Sequence, residues 1–156
     1  MLTFKTGDLF ESHCEALVNP VNCVGVMGAG LALAFSYKFY NSALTYKLKC
    51  TLGKMQIGKV LVTEVNDNEV KYVIHFPTKD HWRNESKLEY IDAGLKDLRN
   101  AILKYRIKSI ALPHLGCGCG KLKWEDVRNL MRLNLEDLDG VDIQIIKPPH
   151  PQHDLI

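Results

Sequence analysis

The sequence lacks the features that mark several large classes of protein. No apolar run approaches the ~18 residues that a membrane-spanning helix needs, and no basic segment followed by an apolar stretch opens the chain as in a signal peptide. The net charge is only +2, with 20 Lys and Arg against 18 Asp and Glu. This balance neither requires nor excludes a nucleic-acid partner, because strong binders usually carry a larger positive excess. We therefore expect a cytoplasmic protein with no membrane partner.

The cysteines form no regular pattern. Their number is odd and their spacing irregular, which argues against a disulfide framework. Two of them flank a single glycine, but no second Cys or His pair lies at the spacing of a zinc site. We therefore predict reduced thiols, no metal and no other cofactor. The five cysteines are Cys14, Cys23, Cys50, Cys117 and Cys119.

The length and apolar content fit one domain. The chain has 156 residues, of which 46% are hydrophobic, enough for a substantial core but not for a second domain. We assign residues 1–147 to the domain and residues 148–156, which open with two prolines, to a flexible C-terminal tail. We expect a monomer.

Short apolar segments alternate with helical patterns along the chain. This alternation predicts an α/β fold, with a mixed sheet and helices on both faces. An Asn-Asp-Asn turn predicts a hairpin between the third and fourth strands. The predicted strands are Leu2–Lys5, Ala16–Val18, Ile57–Val65, Val70–Phe76, Ile107–Leu112 and Val141–Ile145. The predicted helices are Ala29–Tyr40, which we expect to be buried, Lys87–Tyr105 and Trp124–Leu138.

The helix at Lys87–Tyr105 has the clearest signals. Apolar residues recur there at steps of three and four, as on one buried face of a helix. Ser86 and Glu89 have the spacing of a capping box, in which each side chain bonds a free backbone N–H of the first turn.

Two glycine-rich segments lie where a predicted strand leads into a helix. We name them glycine loop 1, Val21–Gly30, and glycine loop 2, Pro113–Gly120. Glycine lets backbone N–H groups approach an anion, and the start of a helix adds positive potential. Tight turns and close packing also require glycine, so spacing alone leaves phosphate binding and turn geometry both open.

Neither loop has the pattern of a kinase or a dehydrogenase. No Gly-Lys-Ser or Gly-Lys-Thr stands at the Walker A spacing, and glycine loop 1 lacks the Gly-x-Gly-x-x-Gly order of a dinucleotide fold. The loops therefore disfavour both classes.

Four segments in register resemble the macrodomain signature. The order and spacing match from residue 1 to about residue 147. The resemblance implies a three-layer α/β/α macrodomain that binds ADP-ribose. The segments are Gly7-Asp8-Leu9, Ala16–Asn22, Gly28-Ala29-Gly30 and Leu115–Gly118.

Three further stretches are similar to the DarG-type macrodomains, which are DNA ADP-ribosyl glycohydrolases. They are Asn22–Gly28, Phe76–Arg83 and Gly118–Trp124. This similarity implies hydrolysis of the bond between ADP-ribose and a modified base in single-stranded DNA, within toxin–antitoxin or phage-defence systems. A more distant resemblance is to the terminal ADP-ribose glycohydrolase that acts on protein carboxylates. That enzyme has an Asp where this chain has Gly120, a departure that speaks against the protein-directed activity.

DarG antitoxins usually carry a C-terminal region that binds the toxin. No such region is visible in this sequence, so the resemblance does not extend to a toxin-binding role.

The resemblance assigns residues to the ADP-ribose site. It places the Asp8 carboxylate on the adenine amino group and the Asn22 amide on the distal ribose. The ordinary alternatives are a capping Asp and an Asn that braces its loop. The glycines would let the loops close over ribose and diphosphate. The other residues assigned to ADP-ribose binding are Leu9, Met27, Gly28, Gly30, Leu115, Gly116, Cys117, Gly118, Cys119 and Gly120.

The resemblance makes Lys79 the catalytic residue. A lysine near the glycosidic carbon could donate a proton or stabilise charge, or it could attack the ring-opened aldehyde as an amine. The ordinary alternative is a solvated surface charge. His81, Trp82 and Arg83 follow directly, and a ring with a neighbouring cation suits single-stranded nucleic acid. Packing within the loop explains the same residues equally well.

Two other functions stay open for this sequence. One is a phosphatase for ADP-ribose 1″-phosphate, for which His114 is the loop candidate. The other is a non-catalytic reader of ADP-ribose, in which Lys79 has no chemical role.

Overall fold

Six strands and four α-helices lie within residues 1–149, the part of the chain that the computed structural model describes. The strands are β1 (Leu2–Thr6), β2 (Ala16–Val21), β3 (Leu61–Asp67), β4 (Val70–Pro77), β5 (Ser109–Leu112) and β6 (Asp142–Lys147). The helices are α1 (Gly30–Lys38), α2 (Tyr40–Thr51), α3 (Leu88–Lys104) and α4 (Trp124–Leu135). Residues 150–156 of the predicted tail lie outside the described residues.

The strands form one mixed sheet, as predicted. Their order is β1-β6-β5-β2-β4-β3. Every neighbouring pair is parallel except β3 and β4, which form the predicted antiparallel hairpin. The carboxyl ends of the five parallel strands therefore meet at the same edge of the sheet, where α/β proteins of this type place their ligand sites.

Side chains on the two faces of the sheet pack into two separate apolar cores. Val18, Ile74 and Leu112 belong to one apolar cluster, which includes the buried residues of α3 and α4. Their neighbours Leu17 and Val73 belong to the other, which includes those of α1 and α2. Successive residues of a strand point to opposite faces, so the helices cover both faces. This confirms the three-layer α/β/α fold.

Helix α3 has the predicted apolar stripe but not the predicted cap. It begins one residue later than expected, at Leu88, after an N-cap Lys87 that makes no side-chain hydrogen bond. The capping-box prediction was wrong because Ser86 lies one residue before the N-cap, where its hydroxyl donates to the Thr78 carbonyl of the preceding loop.

The predicted helix Ala29–Tyr40 corresponds to α1, which is shorter at both ends. Helix α1 ends at Lys38, because Phe39 leaves the helical region at φ −130° and ψ 67°. A second helix, α2, follows at once and was not predicted. The expectation of a buried helix was also wrong, since Phe35 is the one fully buried residue of α1.

Strand β2 continues through Asn19 and Pro20, where the sequence had suggested its end. Proline lacks the N–H that a central strand must donate. Here β5 pairs with β2 only at Ala16 and Leu17, so Pro20 has a partner on the β4 side alone. The missing donor therefore leaves no broken ladder.

The predicted ends of two other strands differ from the structure. Strand β3 begins at Leu61 rather than Ile57, since the Val60 N–H donates to the Asp97 carboxylate at 2.8 Å. Strand β5 begins at Ser109 rather than Ile107, because the Ile107 N–H donates to the Ile102 carbonyl in the last turn of α3. Helix α4 likewise ends at Leu135, three residues before the predicted Leu138.

Candidate functional site

The predicted site residues lie on loops that leave one edge of the sheet. Asp8 follows β1, glycine loop 1 follows β2, and glycine loop 2 follows β5. Lys79 lies in the segment 78–87 between β4 and α3, which we name the lysine loop. Because these strands are parallel, the four segments share the carboxyl edge. The topology thus brings together the elements that the sequence assigned to a single site.

The lysine loop is hydrogen-bonded to glycine loop 1. The Thr78 N–H donates to the Val21 carbonyl at 2.9 Å, and the Cys23 N–H donates to the Asp80 carbonyl at 3.1 Å. Lys79 lies between these two anchored residues and is half-buried. Its ammonium donates to the Trp82 carbonyl at 3.1 Å. The backbone at Lys79 is therefore fixed against glycine loop 1.

The lysine loop is also hydrogen-bonded to glycine loop 2. The Ser86 N–H donates to the Gly120 carbonyl at 3.0 Å. The Ser86 hydroxyl donates to the Thr78 carbonyl within the lysine loop itself. Ser86 was missed as a site residue, since the sequence signal at this position pointed to a helix cap. The three loops form one hydrogen-bonded unit, with Ser86 as the contact between two of them.

The segment after Lys79 presents an aromatic ring and a cation to solvent. Trp82 is 45% exposed. The Arg83 guanidinium carbon lies 4.8 Å from the centre of the Trp82 ring, and the His81 ring lies 5.5 Å from it. The Asn84 amide donates to the Asp80 carboxylate, which holds the pKa of that carboxyl below its usual value. Rings and charges of both signs therefore line this rim.

Asn22 braces glycine loop 1 from within. Its amide oxygen accepts from the N–H groups of Val24 and Gly25, both at 3.0 Å, and from the Tyr46 hydroxyl at 3.0 Å. Its amide nitrogen donates to the Val26 carbonyl at 2.9 Å. This is the bracing role that the sequence had left open. One N–H of the amide remains for another partner, so contact with a ribose stays a prediction.

A buried polar network beneath Asn22 was not predicted. The Tyr46 ring stacks on His75, with centroids 5.2 Å apart. The Asn19 amide nitrogen lies 3.2 Å from His75 Nδ1, and the Ser42 hydroxyl lies 2.8 Å from His75 Nε2. An amide nitrogen only donates, so Nδ1 accepts and the proton is on Nε2. Ser42 in turn bonds Thr63 at 2.6 Å.

The network comes from β2, β3, β4 and α2, so no spacing along the chain signals it. Removal from water lowers the pKa of His75 to about 4, since burial disfavours the charged ring. The neutral ring supports Tyr46, whose hydroxyl also donates to the Asn22 carbonyl at 2.7 Å. The shape of glycine loop 1 thus depends on residues far from it in sequence.

Asp8 caps a short 3-10 turn. One carboxylate oxygen accepts from the Phe10 N–H at 2.9 Å, which is the ordinary role considered for this residue. Asp8 is exposed, and its other oxygen stays available for an adenine, so that contact remains a prediction. The side chains of Leu9 and Met27 are buried in the core under α1 and α2. Only their backbone atoms can meet a ligand.

Two glycines of glycine loop 2 are required by packing within the protein. Gly116 has φ +75°, and a Cβ there would lie 2.8 Å from the Leu122 side chain. A Cβ on Gly120 would lie 2.6 Å from the Gly116 carbonyl oxygen and 2.8 Å from the Ser86 Cβ. Position 120 therefore has no room for the Asp of the protein-directed relative.

The remaining predicted residues divide by exposure. In glycine loop 1, Gly28 is exposed and Gly30 begins α1 with φ +56°. In glycine loop 2, the Cys117 thiol donates to the Leu115 carbonyl at 3.6 Å, and the Leu115 side chain is buried. Cys117 and Gly118 are half-buried, whereas Cys119 is exposed.

Residues 1–149 contain neither a metal-binding cluster nor a membrane-crossing helix. No three His, Cys, Asp or Glu side chains converge there as a metal site would need. No helix in this range has the length and apolar character to cross a membrane.

Glycine-rich loops that lead into helices at the carboxyl edge of a three-layer sheet define a class of α/β domains built for phosphate-containing ligands. Within this class, residues 18–131 match the Macro domain family. The chain belongs to the macrodomain family.

Relatives and solved structures support this assignment. The chain is 44% identical over 149 residues to the DNA ADP-ribosyl glycohydrolase of Thermus aquaticus, a match that covers 95% of this chain and 41% of that protein. It superimposes on the macrodomain of Mycobacterium tuberculosis DarG with a TM-score of 0.91 at 46% identity, covering 96% of this chain and 99% of the other. For Thermosipho africanus DarTG in complex with ADP-ribose, the TM-score is 0.84 at 33% identity, covering 96% and 44%. The chain spans about two fifths of the length of the DNA ADP-ribosyl glycohydrolases it matches.

Proposed function

We propose that this macrodomain binds ADP-ribose across its two glycine loops and hydrolyses the bond between ADP-ribose and a base of single-stranded DNA. The observation that carries the proposal is the position of Lys79, whose backbone is fixed against glycine loop 1 by hydrogen bonds on both sides. The relatives named DNA ADP-ribosyl glycohydrolase support the substrate.

In this proposal, the loops hold the ligand along the carboxyl edge. Backbone N–H groups of the glycine loops donate to the oxygens of the diphosphate, and the positive end of α1 adds to the attraction. The free oxygen of Asp8 accepts a hydrogen bond from the adenine amino group. The remaining amide N–H of Asn22 donates to the distal ribose. The bound Thermosipho africanus relative, which is in complex with ADP-ribose, supports such a ligand.

The proposed reaction exchanges one bond at the distal ribose. The bond between its anomeric carbon and the base nitrogen breaks, water oxygen bonds to that carbon, and the base nitrogen takes a proton. Lys79 serves either as the acid that supplies this proton, as a fixed positive charge, or as an amine that adds to the ring-opened aldehyde. Without ligand its ammonium is held by the Trp82 carbonyl, so a short movement of the side chain frees it.

The DNA strand flanking the base contacts the rim beyond Lys79. Trp82 offers a ring on which a neighbouring base stacks, and Arg83, already placed over that ring, offers a charge to a phosphate. Binding on this rim would weaken with salt, because it displaces counterions from the strand.

A relative also supports a place in a toxin–antitoxin pair. The Thermosipho africanus protein is named a DNA ADP-ribosyl transferase-DNA ADP-ribosyl glycohydrolase fusion protein, and it is 34% identical over 163 residues. We propose that this chain reverses the product of such a transferase, as a monomer in the cytoplasm. A role in phage defence stays a prediction.

The test compares Lys79→Ala and Lys79→Arg with Lys87→Ala, an exposed lysine at the other end of the same loop. Each protein receives ADP-ribosylated single-stranded DNA and, separately, ADP-ribose 1″-phosphate, and released products are separated chromatographically. We expect Lys79→Ala to lower turnover on DNA by about 10²–10⁴-fold. Calorimetry should show unchanged affinity for free ADP-ribose, and Lys87→Ala should retain wild-type turnover.

Three outcomes would change the proposal. Release from DNA by Lys79→Ala at the wild-type rate would remove the catalytic role of Lys79. Turnover of the 1″-phosphate alone would make the protein a phosphatase, and binding without turnover of either substrate would make it a reader. Activity in Lys79→Arg would favour charge stabilisation, whereas a borohydride-trapped adduct on the wild type would identify the amine route.

A further inference from the structure

Helix α2 exposes a row of apolar side chains on the surface away from the sheet. Tyr40, Leu44, Leu48 and Leu52 are 65%, 45%, 56% and 55% exposed. They recur at every fourth position, so they form one continuous stripe along the helix. We name these four residues the α2 ridge.

The α2 ridge is not part of the core. The buried residues of α2 are Ser42, Ala43 and Tyr46, which lie on the opposite side of the helix. Single exposed apolar residues are common on proteins, but contiguous apolar patches of a few hundred Å² mark interaction sites. Four large side chains at helical spacing form a patch of that order.

The charged residues of α2 and of its neighbours in sequence have one sign. From residue 16 to residue 63 the chain has five lysines and no Asp or Glu. Lys47 and Lys49 lie on α2 itself, one on each side of the ridge by helical geometry. A partner that covers the ridge must therefore accept positive charge along both of its flanks.

We propose that the α2 ridge docks an acidic amphipathic helix of a partner protein. Leucines of that helix would pack between the side chains of the ridge, as helices pack ridges into grooves. Its flanking carboxylates would face Lys47 and Lys49, as charged residues flank the apolar seam between paired helices. None of the four ridge residues is assigned to the ligand site, so the inference does not depend on the glycohydrolase activity.

Two other occupants fit the ridge less well. A second copy docked through the same ridge would bring the lysines of both chains together without any carboxylate in residues 16–63 to balance them. Single-stranded nucleic acid would satisfy the lysines, but it stacks on aromatic rings. Three of the four residues in the ridge are leucines.

The test uses three labelled synthetic helices of about 20 residues, long enough to hold helical structure. The first has a leucine stripe flanked by glutamates, the second has lysines in place of the glutamates, and the third has serines in place of the leucines. Binding to the purified protein is followed by fluorescence anisotropy at low and high salt. We expect the first peptide to bind with salt-sensitive affinity and the other two to bind at least tenfold more weakly.

Matched variants locate the binding on the ridge. The double variant Leu44→Ser/Leu48→Ser should bind the acidic peptide with an affinity lower by at least about tenfold. Leu133→Ser changes the 80% exposed leucine of α4, and its affinity for the acidic peptide should stay within about twofold of the wild-type value. ADP-ribose affinity reports that each variant is folded, because these leucines lie outside the proposed ligand site.

The proposal is overturned if the acidic peptide does not bind, or binds the double variant as tightly as the wild type. Sedimentation that shows a wild-type dimer, lost in Leu44→Ser/Leu48→Ser, would assign the ridge to a second copy. An oligothymidylate that binds the wild type and loses affinity in the same variant would assign the ridge to nucleic acid. Either result would also overturn it.

Discussion

The buried ring of His75 should make the stability of the fold depend on pH in a calculable way. Its pKa is lowered from 6.5 to about 4 by burial, so the folded protein keeps the ring neutral in a range where the unfolded chain protonates it. Unfolding therefore takes up a proton between these values, and the free energy of unfolding falls as the pH falls. Above pH 6.5 the ring is neutral in both states and adds no pH dependence.

The magnitude follows from the two pKa values. Each unit of difference is about 1.4 kcal/mol, so the full effect is about 3 kcal/mol. Most of this effect falls between pH 7.5 and pH 4.5, where it lowers the free energy of unfolding by about 2.5 kcal/mol. That is a large fraction of the total stability of an ordinary domain.

The assay compares urea unfolding of the wild type and His75→Gln at pH 7.5 and pH 4.5. Carboxylates and other histidines titrate in both proteins, so their effects cancel in the comparison. We expect the wild type to lose about 2.5 kcal/mol more than the variant over this range. NMR titration of the His75 ring in the wild type gives an independent measurement, with the proton on Nε2 at neutral pH. Equal losses in both proteins, or a ring that titrates near pH 6.5, would refute the reasoning.

Three further changes test the site. Asp8→Ala should weaken ADP-ribose binding in calorimetry by about 1–3 kcal/mol, and an unchanged affinity would remove the adenine contact. Tyr46→Phe should lower the free energy of unfolding by about 1 kcal/mol, because it removes the hydroxyl bonded to Asn22; unfolding in urea at neutral pH measures this, and no change would contradict it. Gly120→Ala should cost about 1–3 kcal/mol of stability, since its Cβ would lie 2.6 Å from the Gly116 carbonyl oxygen. Thermal unfolding and ADP-ribose affinity measured together would show the damage to glycine loop 2, and wild-type behaviour in both would contradict the packing argument.

The sequence predicted the sheet, and the edge at which the candidate residues lie, because both depend on strong local signals. Alternating apolar strands and the stripe of α3 are visible in short windows. Once the strands are parallel, the residues that follow them must share an edge. This placed Asp8, Lys79 and both glycine loops together without any knowledge of their contacts.

The errors arose where long-range contacts override local pattern. Ser86 has the spacing of a cap, yet the helix begins one residue too late for it, and its hydroxyl donates to Thr78, eight residues earlier. Helix α2 was missed although its apolar residues recur at every fourth position, and those residues face solvent instead of the core. The network of His75 and Tyr46 draws on three strands and a helix, and only the folded sheet brings its members within reach.

The pairing of β1 with β6 has a consequence for synthesis. Within this sheet, β1 is synthesised before every other strand and its neighbour β6 after every other strand, and Met1 bonds Val141 across 140 residues of chain. At about 5–20 residues per second, β1 waits roughly 7–30 s for its partner. Local collapse takes far less than a millisecond. The time at which the sheet closes is therefore set by the rate of translation, and until then the half-buried Leu2 and Phe4 stay open to contact with other nascent chains.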